Sequence, residues 1–310
     1  MIYTVTLNPA VDKTAICPNF TIGKVNRIVS FQKDAAGKGI NVSKSIKGLG
    51  GSSFVFAILG GASGEFIRQG VADLGIDADY VFVEAETRTN VKIIDPELHT
   101  NTDINEPGAP LTEEVQEQLL AKMLAKVQPG DEVVLAGKAP QGAKSDIYYR
   151  WTLALKEKGV RVFLDADGDA MIEGIKAKPF LIKPNDDELA RITGKTFTCV
   201  EDMIAAAKEL QASGIERVVV TLGGDGALYL DGEKVIRAYG LKVPVGSTVG
   251  AGDSVVAALA YGMDQGMKLE DIVVLSTATG AATVMSSGTV AADYATIESL
   301  MSKVKYEIVK

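Results

Sequence analysis

The run Ser247-Thr248-Val249-Gly250-Ala251-Gly252-Asp253-Ser254 packs three small residues and one carboxylate into a turn that opens an apolar, helical stretch, roughly Asp253 to Gln265. Gly250, Ala251 and Gly252 allow a ligand close to the backbone, and a helix start offers free N–H groups and the positive end of its dipole. An anion such as a transferring phosphate suits that position. Asp253 sits at the same helix start, where its carboxylate can take a proton from a hydroxyl held beside the phosphate. The pairing fits phosphoryl transfer from a nucleotide to an alcohol. Asp253 and Ser254 are also residues that simply cap buried helices, and the turn alone does not separate the two readings.

Elimination adds weight to Asp253. The chain has one histidine, His99, in a polar segment between strand-like stretches, where it reads as a surface loop residue. Histidine-dependent triads and histidine-rich zinc sites therefore lack material, and acid–base work falls to carboxylates, lysines or tyrosines. Cys17 and Cys199 are too few and too far apart in sequence for a disulfide framework or a cysteine-rich metal site. A net charge of -8 argues against nucleic acid or an anionic membrane as the main partner. The opening Met1-Ile2-Tyr3-Thr4-Val5-Thr6-Leu7 has no basic leader, and no apolar run nears the roughly 20 residues needed to span a bilayer. The expectation is a cytoplasmic protein with no export signal or membrane anchor.

The elements that must position Asp253 follow from hydrophobic patterning. Apolar, β-branched runs at Ile2–Leu7, Ser53–Leu59, Glu132–Ala136, Arg161–Asp165, Phe180–Lys183 and Arg217–Leu222 predict strands. Amphipathic stretches predict helices at Lys38–Gly48, Gly64–Leu74, Thr112–Val127, Ser145–Lys158, Asp186–Thr193, Val200–Ser213, Ser254–Gln265 and Leu269–Ser286. The alternation implies parallel βαβ units and an α/β fold. Two segments, Lys13–Lys33 and Thr87–Asn105, read as short strands without crossover helices. They suit a small separate sheet, a lid over the carboxyl ends of the main strands, where open α/β sheets bind ligands.

Several nucleotide motifs fail. Gly194-Lys195-Thr196 ends like a P-loop, but Leu189 stands where that loop needs its first glycine; Gly37-Lys38-Gly39 fails with Gln32 upstream. Gly250-Ala251-Gly252 opens a dinucleotide fingerprint, but Val255 holds the third glycine position. The protein-kinase signatures are absent as well.

Asn8-Pro9-Ala10-Val11-Asp12, Ala36-Gly37-Lys38-Gly39-Ile40-Asn41, Lys183-Pro184-Asn185-Asp186-Asp187-Glu188, Thr221-Leu222-Gly223-Gly224-Asp225-Gly226-Ala227 and Thr248-Val249-Gly250-Ala251-Gly252-Asp253 occur in this order across the chain. Together they resemble the ribokinase-like sugar kinases, and the opening resembles their ketohexose-phosphate branch. The resemblance implies one kinase domain over residues 1–310, a three-layer α/β/α sandwich with a mainly parallel sheet and the lid segments 13–33 and 87–105 inserted. It also implies ATP and magnesium, and a homodimer formed through the lid.

Carried over by motif, the resemblance makes Asp253 the base and Gly250, Ala251 and Gly252 the anion hole. Asn185 and Glu188 would place magnesium through water, though Asn185 to Glu188 could equally cap the following helix. Lys183, Asn185, Thr221, Gly223, Gly226, Ser247 and Thr248 would line the nucleotide. Read from the residues alone, Gly223-Gly224-Asp225-Gly226 is also a plain hairpin turn. Asp12, Gly37, Lys38, Gly39, Asn41, Arg88 and Asn105 would meet the acceptor, with Lys38 and Arg88 favouring a phosphorylated sugar. Where the family commonly has Gly-Ser-x-Pro, this chain has Gly137-Lys138-Ala139-Pro140, so Lys138 could add a phosphate contact or swing into solvent. Fructose 1-phosphate would present its 6-hydroxyl to Asp253, and tagatose 6-phosphate its 1-hydroxyl. Thr89-Asn90-Val91-Lys92 and Thr102 to Gly108 resemble the fructose 1-phosphate kinases more. A non-catalytic sugar-phosphate sensor would have lost Asp253 or the glycine turn, and a neutral-sugar kinase would not need Lys38, Arg88 and Lys138.

Overall fold

The β-branched runs form the middle of a ten-stranded sheet in a computed structural model that describes residues 1–286, 288 and 290–309. Strands β1 (Ile2–Thr6), β4 (Ser53–Gly60), β5 (Asp77–Val83), β8 (Glu132–Gly137), β9 (Arg161–Ala166), β10 (Leu181–Ile182) and β11 (Arg217–Thr221) run parallel. Strands β12 (Gly226–Asp231), β13 (Lys234–Tyr239) and β14 (Tyr306–Val309) extend one edge antiparallel. The sheet order is β14-β13-β12-β11-β10-β9-β8-β1-β4-β5.

Alternation along each strand splits the core into two faces. Tyr3, Val5 and Leu7 pack with Leu119 of α3 (Glu113–Lys126), Trp151 of α4 (Ile147–Glu157) and Leu189 of α6 (Asp186–Thr193). Ile2, Val134 and Phe163 face the other way, onto Ile46 of α1 (Lys38–Gly48), Val256 of α8 (Ala251–Asp264) and Ile272 of α9 (Leu269–Met285). This is the expected α/β/α layering. Helices α2 (Gly61–Asp73) and α7 (Val200–Ala212) complete the crossovers anticipated from the pattern.

The two irregular segments form one four-stranded sheet, order β3-β2-β6-β7, from β2 (Ala10–Ile16), β3 (Ser30–Ala36), β6 (Thr89–Asp95) and β7 (Thr100–Asn105). Its far end is organised by Asp95, 1% exposed, whose carboxylate accepts the backbone N–H groups of Asn19, Phe20, Glu97 and Leu98. Burial pushes that carboxyl up, but the four donors outweigh it and hold it below the usual range. His99 lies exposed in the β6–β7 turn with φ of 52°, as its polar setting implied.

Some elements depart from the sequence pattern. Phe180–Lys183 contracts to the two residues of β10. α8 starts at Ala251, two to three residues before the expected start, because Gly250 takes the left-handed conformation, φ 81°, as its N-cap. The edge strands β5 and β14, strand β13 and the short helices α5 (Gly168–Gly174) and α10 (Tyr294–Met301) are additional. Among the described residues no helix is long and apolar enough to cross a membrane.

Candidate active site

The carboxyl ends of the parallel strands gather almost every residue singled out by the motifs. At the end of β1, α1 is pressed close to the sheet. A Cβ on Gly39 would lie 2.5 Å from the Val5 carbonyl oxygen and 2.6 Å from Thr6 Oγ1, so only glycine fits. Gly37, with φ of 129°, sets the entry to the helix. Ile40 N–H then donates to Thr6 Oγ1 at 3.0 Å. The first turn of α1 consequently aims Asn41 across at α8, where its Nδ2 donates to Asp253 Oδ2 at 2.8 Å.

Asp253 is 7% exposed, and neither it nor Ser254 caps α8. The Ser254 hydroxyl donates to the Ala251 carbonyl at 2.8 Å, so the capping alternative does not describe these residues. Burial pushes the Asp253 carboxyl up to about 6, opposed by Lys38 and by the Asn41 hydrogen bond and reinforced by Asp165. Of the turn's amides, Ala251 N–H points at the Thr248 carbonyl at 3.4 Å. Among the described residues, the N–H groups of Gly250, Gly252 and Asp253 meet no protein acceptor. The unengaged donors of this turn are therefore Gly250, Gly252 and Asp253.

Beside this turn stands a charge cluster. Asp165, at the end of β9 and 1% exposed, holds Lys183 Nζ at 3.1 Å and Lys38 Nζ at 3.3 Å. Burial raises the Asp165 carboxyl, yet the two ammoniums outweigh it and keep it below the ordinary range. Lys38 is held above the usual lysine value chiefly by Asp165, with Asp253 and Glu188 adding to the effect. Lys183 reaches the anion turn as well, since a Cβ on Gly252 would lie 3.5 Å from its Nζ. The motif placed Lys38 with the acceptor; the structure turns its ammonium to Asp165, between the two halves of the site.

The inner face of the four-stranded sheet walls a cavity of about 260 Å³. Asp12, Arg88, Asn90 and Asn105 line it, and Val249 joins it to the anion turn. Asn90 Nδ2 donates to Asp12 Oδ1 at 2.9 Å, and burial holds the Asp12 carboxyl above its usual range. Arg88 Nη1 donates to the Glu106 carbonyl at 3.0 Å. Arg88 Nε and Asn90 Oδ1 in this wall, and Asn41 Oδ1 beside Asp253, are buried without protein partners. Such atoms are costly to leave unpaired. Lys138, by contrast, is exposed and forms no ion pair among the described residues.

Asn185 and Glu188 form a complete capping box at the start of α6. Asn185 Oδ1 accepts Glu188 N–H at 2.7 Å, and Glu188 Oε2 accepts Asn185 N–H at 2.8 Å. The capping alternative is thus realised, and it leaves Glu188 Oε1 free. No group of three potential metal-binding side chains occurs among the described residues. Asn185 and Glu188 supply oxygen atoms of the kind magnesium takes, with water filling the rest of its shell. Thr221 bridges to Asn185 through backbone pairing, and its N–H donates to the Pro184 carbonyl at 3.0 Å. Gly223 to Gly226 forms the turn between β11 and β12, with open space where Cβ atoms on Gly223 or Gly224 would lie. Ser247 is buried with its Oγ accepting Val249 N–H at 3.2 Å, while Thr248 is exposed.

Residues 5–295 match the model of the pfkB family of carbohydrate kinases. The chain belongs to that family. It is 34% identical over 310 residues to 1-phosphofructokinase of Haemophilus influenzae, covering 100% of this chain and 99% of the relative. Against 1-phosphofructokinase of Bacillus subtilis it is 37% identical over 286 residues, 92% and 93% of the two chains. Among solved structures it is similar to phosphofructokinase-2 from Escherichia coli in complex with substrates and products, with a TM-score of 0.93 at 31% identity over 97% and 98% of the chains.

In this pfkB-family chain the motifs do not include the carboxylate at the centre of the charge cluster. Asp165 was read only as the last residue of a strand; a carboxylate at the carboxyl end of a parallel strand was the available signal. Lys44 was missed too: half-buried on α1, it faces Asp12 and Asp34, and burial pulls its ammonium below the usual value.

Proposed function

We propose that this kinase transfers the terminal phosphoryl group of ATP to the 6-hydroxyl of fructose 1-phosphate, forming fructose 1,6-bisphosphate. The observation that carries this is Asp253: a buried carboxylate fixed by Asn41, at a helix start with unengaged amides, in a turn whose Val249 lines the cavity that also holds Arg88. Asp253 takes the hydroxyl proton as the phosphoryl group moves. The amides of Gly250, Gly252 and Asp253 and the α8 dipole stabilise charge on the transferring group, with Lys38 and Lys183 alongside. Asp165 keeps both lysines converged. Asp12, Asn90 and the free Asn41 Oδ1 bond sugar hydroxyls, and Arg88 receives the acceptor's phosphate. Thr221, Gly223, Gly226, Ser247 and Thr248 border the nucleotide. Magnesium, when held through water by Asn185 and Glu188, supplies charge neutralisation for the nucleotide phosphates.

The outer face of the lid exposes Phe31 and Ile104, and the loop beside it exposes Ile22, Val25, Ile28 and Val29. Such a patch favours pairing of two copies through their lids. A kinase of this kind works in the cytoplasm, where ATP is.

ADP release from Mg-ATP, compared with fructose 1-phosphate, tagatose 6-phosphate and fructose 6-phosphate as acceptors, tests the assignment. Fructose 6-phosphate belongs in the panel because a similar Escherichia coli structure is a complex with it. The expected order puts fructose 1-phosphate first in kcat/KM. Preference for either other sugar by tenfold or more overturns the acceptor, and no turnover with any of them overturns the kinase assignment.

A further inference from the structure

We infer that Lys92 is a second phosphate-binding cation of the acceptor cavity, held in reserve by Asp103, and that this pair sets how strongly a phosphorylated acceptor is preferred. The inference rests on the phosphosugar-kinase function proposed above.

The lid sheet presents its side chains alternately to its two faces. Arg88, immediately before β6, and Asn90 and Lys92 on β6 share the inner face, and all three line the cavity. The pairing register places Asp12 beside Asn90 and Thr14 beside Lys92 on one flank, and Asn105 opposite Asn90 and Asp103 opposite Lys92 on the other. One wall therefore carries two cations, four residues or roughly 13 Å of strand apart, whose long side chains can converge over Asn90.

The two cations are engaged unequally. Arg88 is anchored through Nη1 on the Glu106 carbonyl while its buried Nε has no partner. Lys92 Nζ pairs with Asp103 Oδ1 at 2.7 Å, and the pair is asymmetric, since the Lys92 side chain is 15% exposed and that of Asp103 50%. The lysine is fixed in the cavity wall, and the aspartate can swing to water at little loss. A phosphate brings more charge and more acceptor oxygens than one carboxylate, so it takes Lys92 from Asp103. Asp103 is then a competitor for the cation, which blunts weak anions and admits a phosphoester.

Steady-state kinetics of Lys92→Gln, Asp103→Asn and the double variant, with thermal melts alongside, test this. Lys92→Gln is expected to raise KM for fructose 1-phosphate at least about tenfold with a much smaller change in KM for ATP, the range of a lost charge-assisted contact. The kcat/KM preference for fructose 1-phosphate over unphosphorylated fructose shrinks by the same factor. Asp103→Asn is expected to lower KM for fructose 1-phosphate, and the double variant to resemble Lys92→Gln. A pair that merely braces the lid gives the opposite sign for Asp103→Asn. A raised KM in Asp103→Asn, or a KM within twofold of wild type in Lys92→Gln, overturns the inference while leaving the kinase assignment intact. Absence of turnover with any phosphosugar in the wild type overturns that assignment first.

Discussion

Replacing Asp253 by Asn separates its chemical role from any structural one, because the two predict stability changes of opposite sign. Burial lifts the carboxyl from 3.8 to about 6, so the folded protein holds this proton more tightly than the unfolded chain does. The resulting stability is fully present below about 3.8 and is lost as pH rises through about 6. At pH of about 8 the ionised carboxylate is a burden of about 3 kcal/mol, the equivalent of that rise. Asp253→Asn removes the ionisation and keeps an oxygen for Asn41 Nδ2. At that pH the variant should be more stable by up to ~3 kcal/mol, a gain of roughly 5 °C in melting temperature. The gain should vanish by about pH 4, where wild type carries the proton as well. Turnover should fall by roughly 10²- to 10⁴-fold, the usual range for a lost general base. In the wild type kcat/KM should drop tenfold per pH unit below about 6. Calorimetry across this pH range, run beside ADP-release assays, measures both. A variant less stable than wild type at alkaline pH, or one that keeps more than a tenth of its turnover, would refute the assignment of Asp253 as a strained, buried base.

Asp165→Asn leaves Lys38 and Lys183 facing each other without their shared carboxylate. Breaking one partner out of a buried ion pair costs about 3–5 kcal/mol, so melts should show a large loss of stability at neutral pH, with turnover reduced at least tenfold; a neutral result in both would mean the lysines are positioned by something else. Gly39→Ala forces a Cβ against the Val5 carbonyl and Thr6 Oγ1. Moving α1 away from β1 displaces Asn41, so the variant should lose about 1–3 kcal/mol and a larger share of kcat than Arg88→Ala loses, and unchanged melting and kcat would show that the close approach is not needed.

How far the site was legible depends on whether its partners are neighbours in sequence. The anion turn, the bounds of α1 at Lys38–Gly48 and those of α6 at Asp186–Thr193 were readable because glycine freedom, caps and hydrophobic period are local properties. The lid was readable from the absence of crossover helices. What local pattern could not supply is the cluster of Lys38, Asp165 and Lys183, whose members come from α1, β9 and the end of β10 and meet only when the sheet forms. Asp165 alone is an ordinary end-of-strand carboxylate, and Lys38 alone is a basic residue in a glycine loop. In the proposed reaction their meeting also supplies the electrostatics. With Asp253 ionised, two lysines balance two carboxylates. Once Asp253 accepts a proton, Lys38 and Lys183 face Asp165 alone and the site carries a single excess positive charge. That excess arises at the anion turn as negative charge gathers on the transferring phosphoryl group, so deprotonating the acceptor strengthens the field that stabilises the transfer.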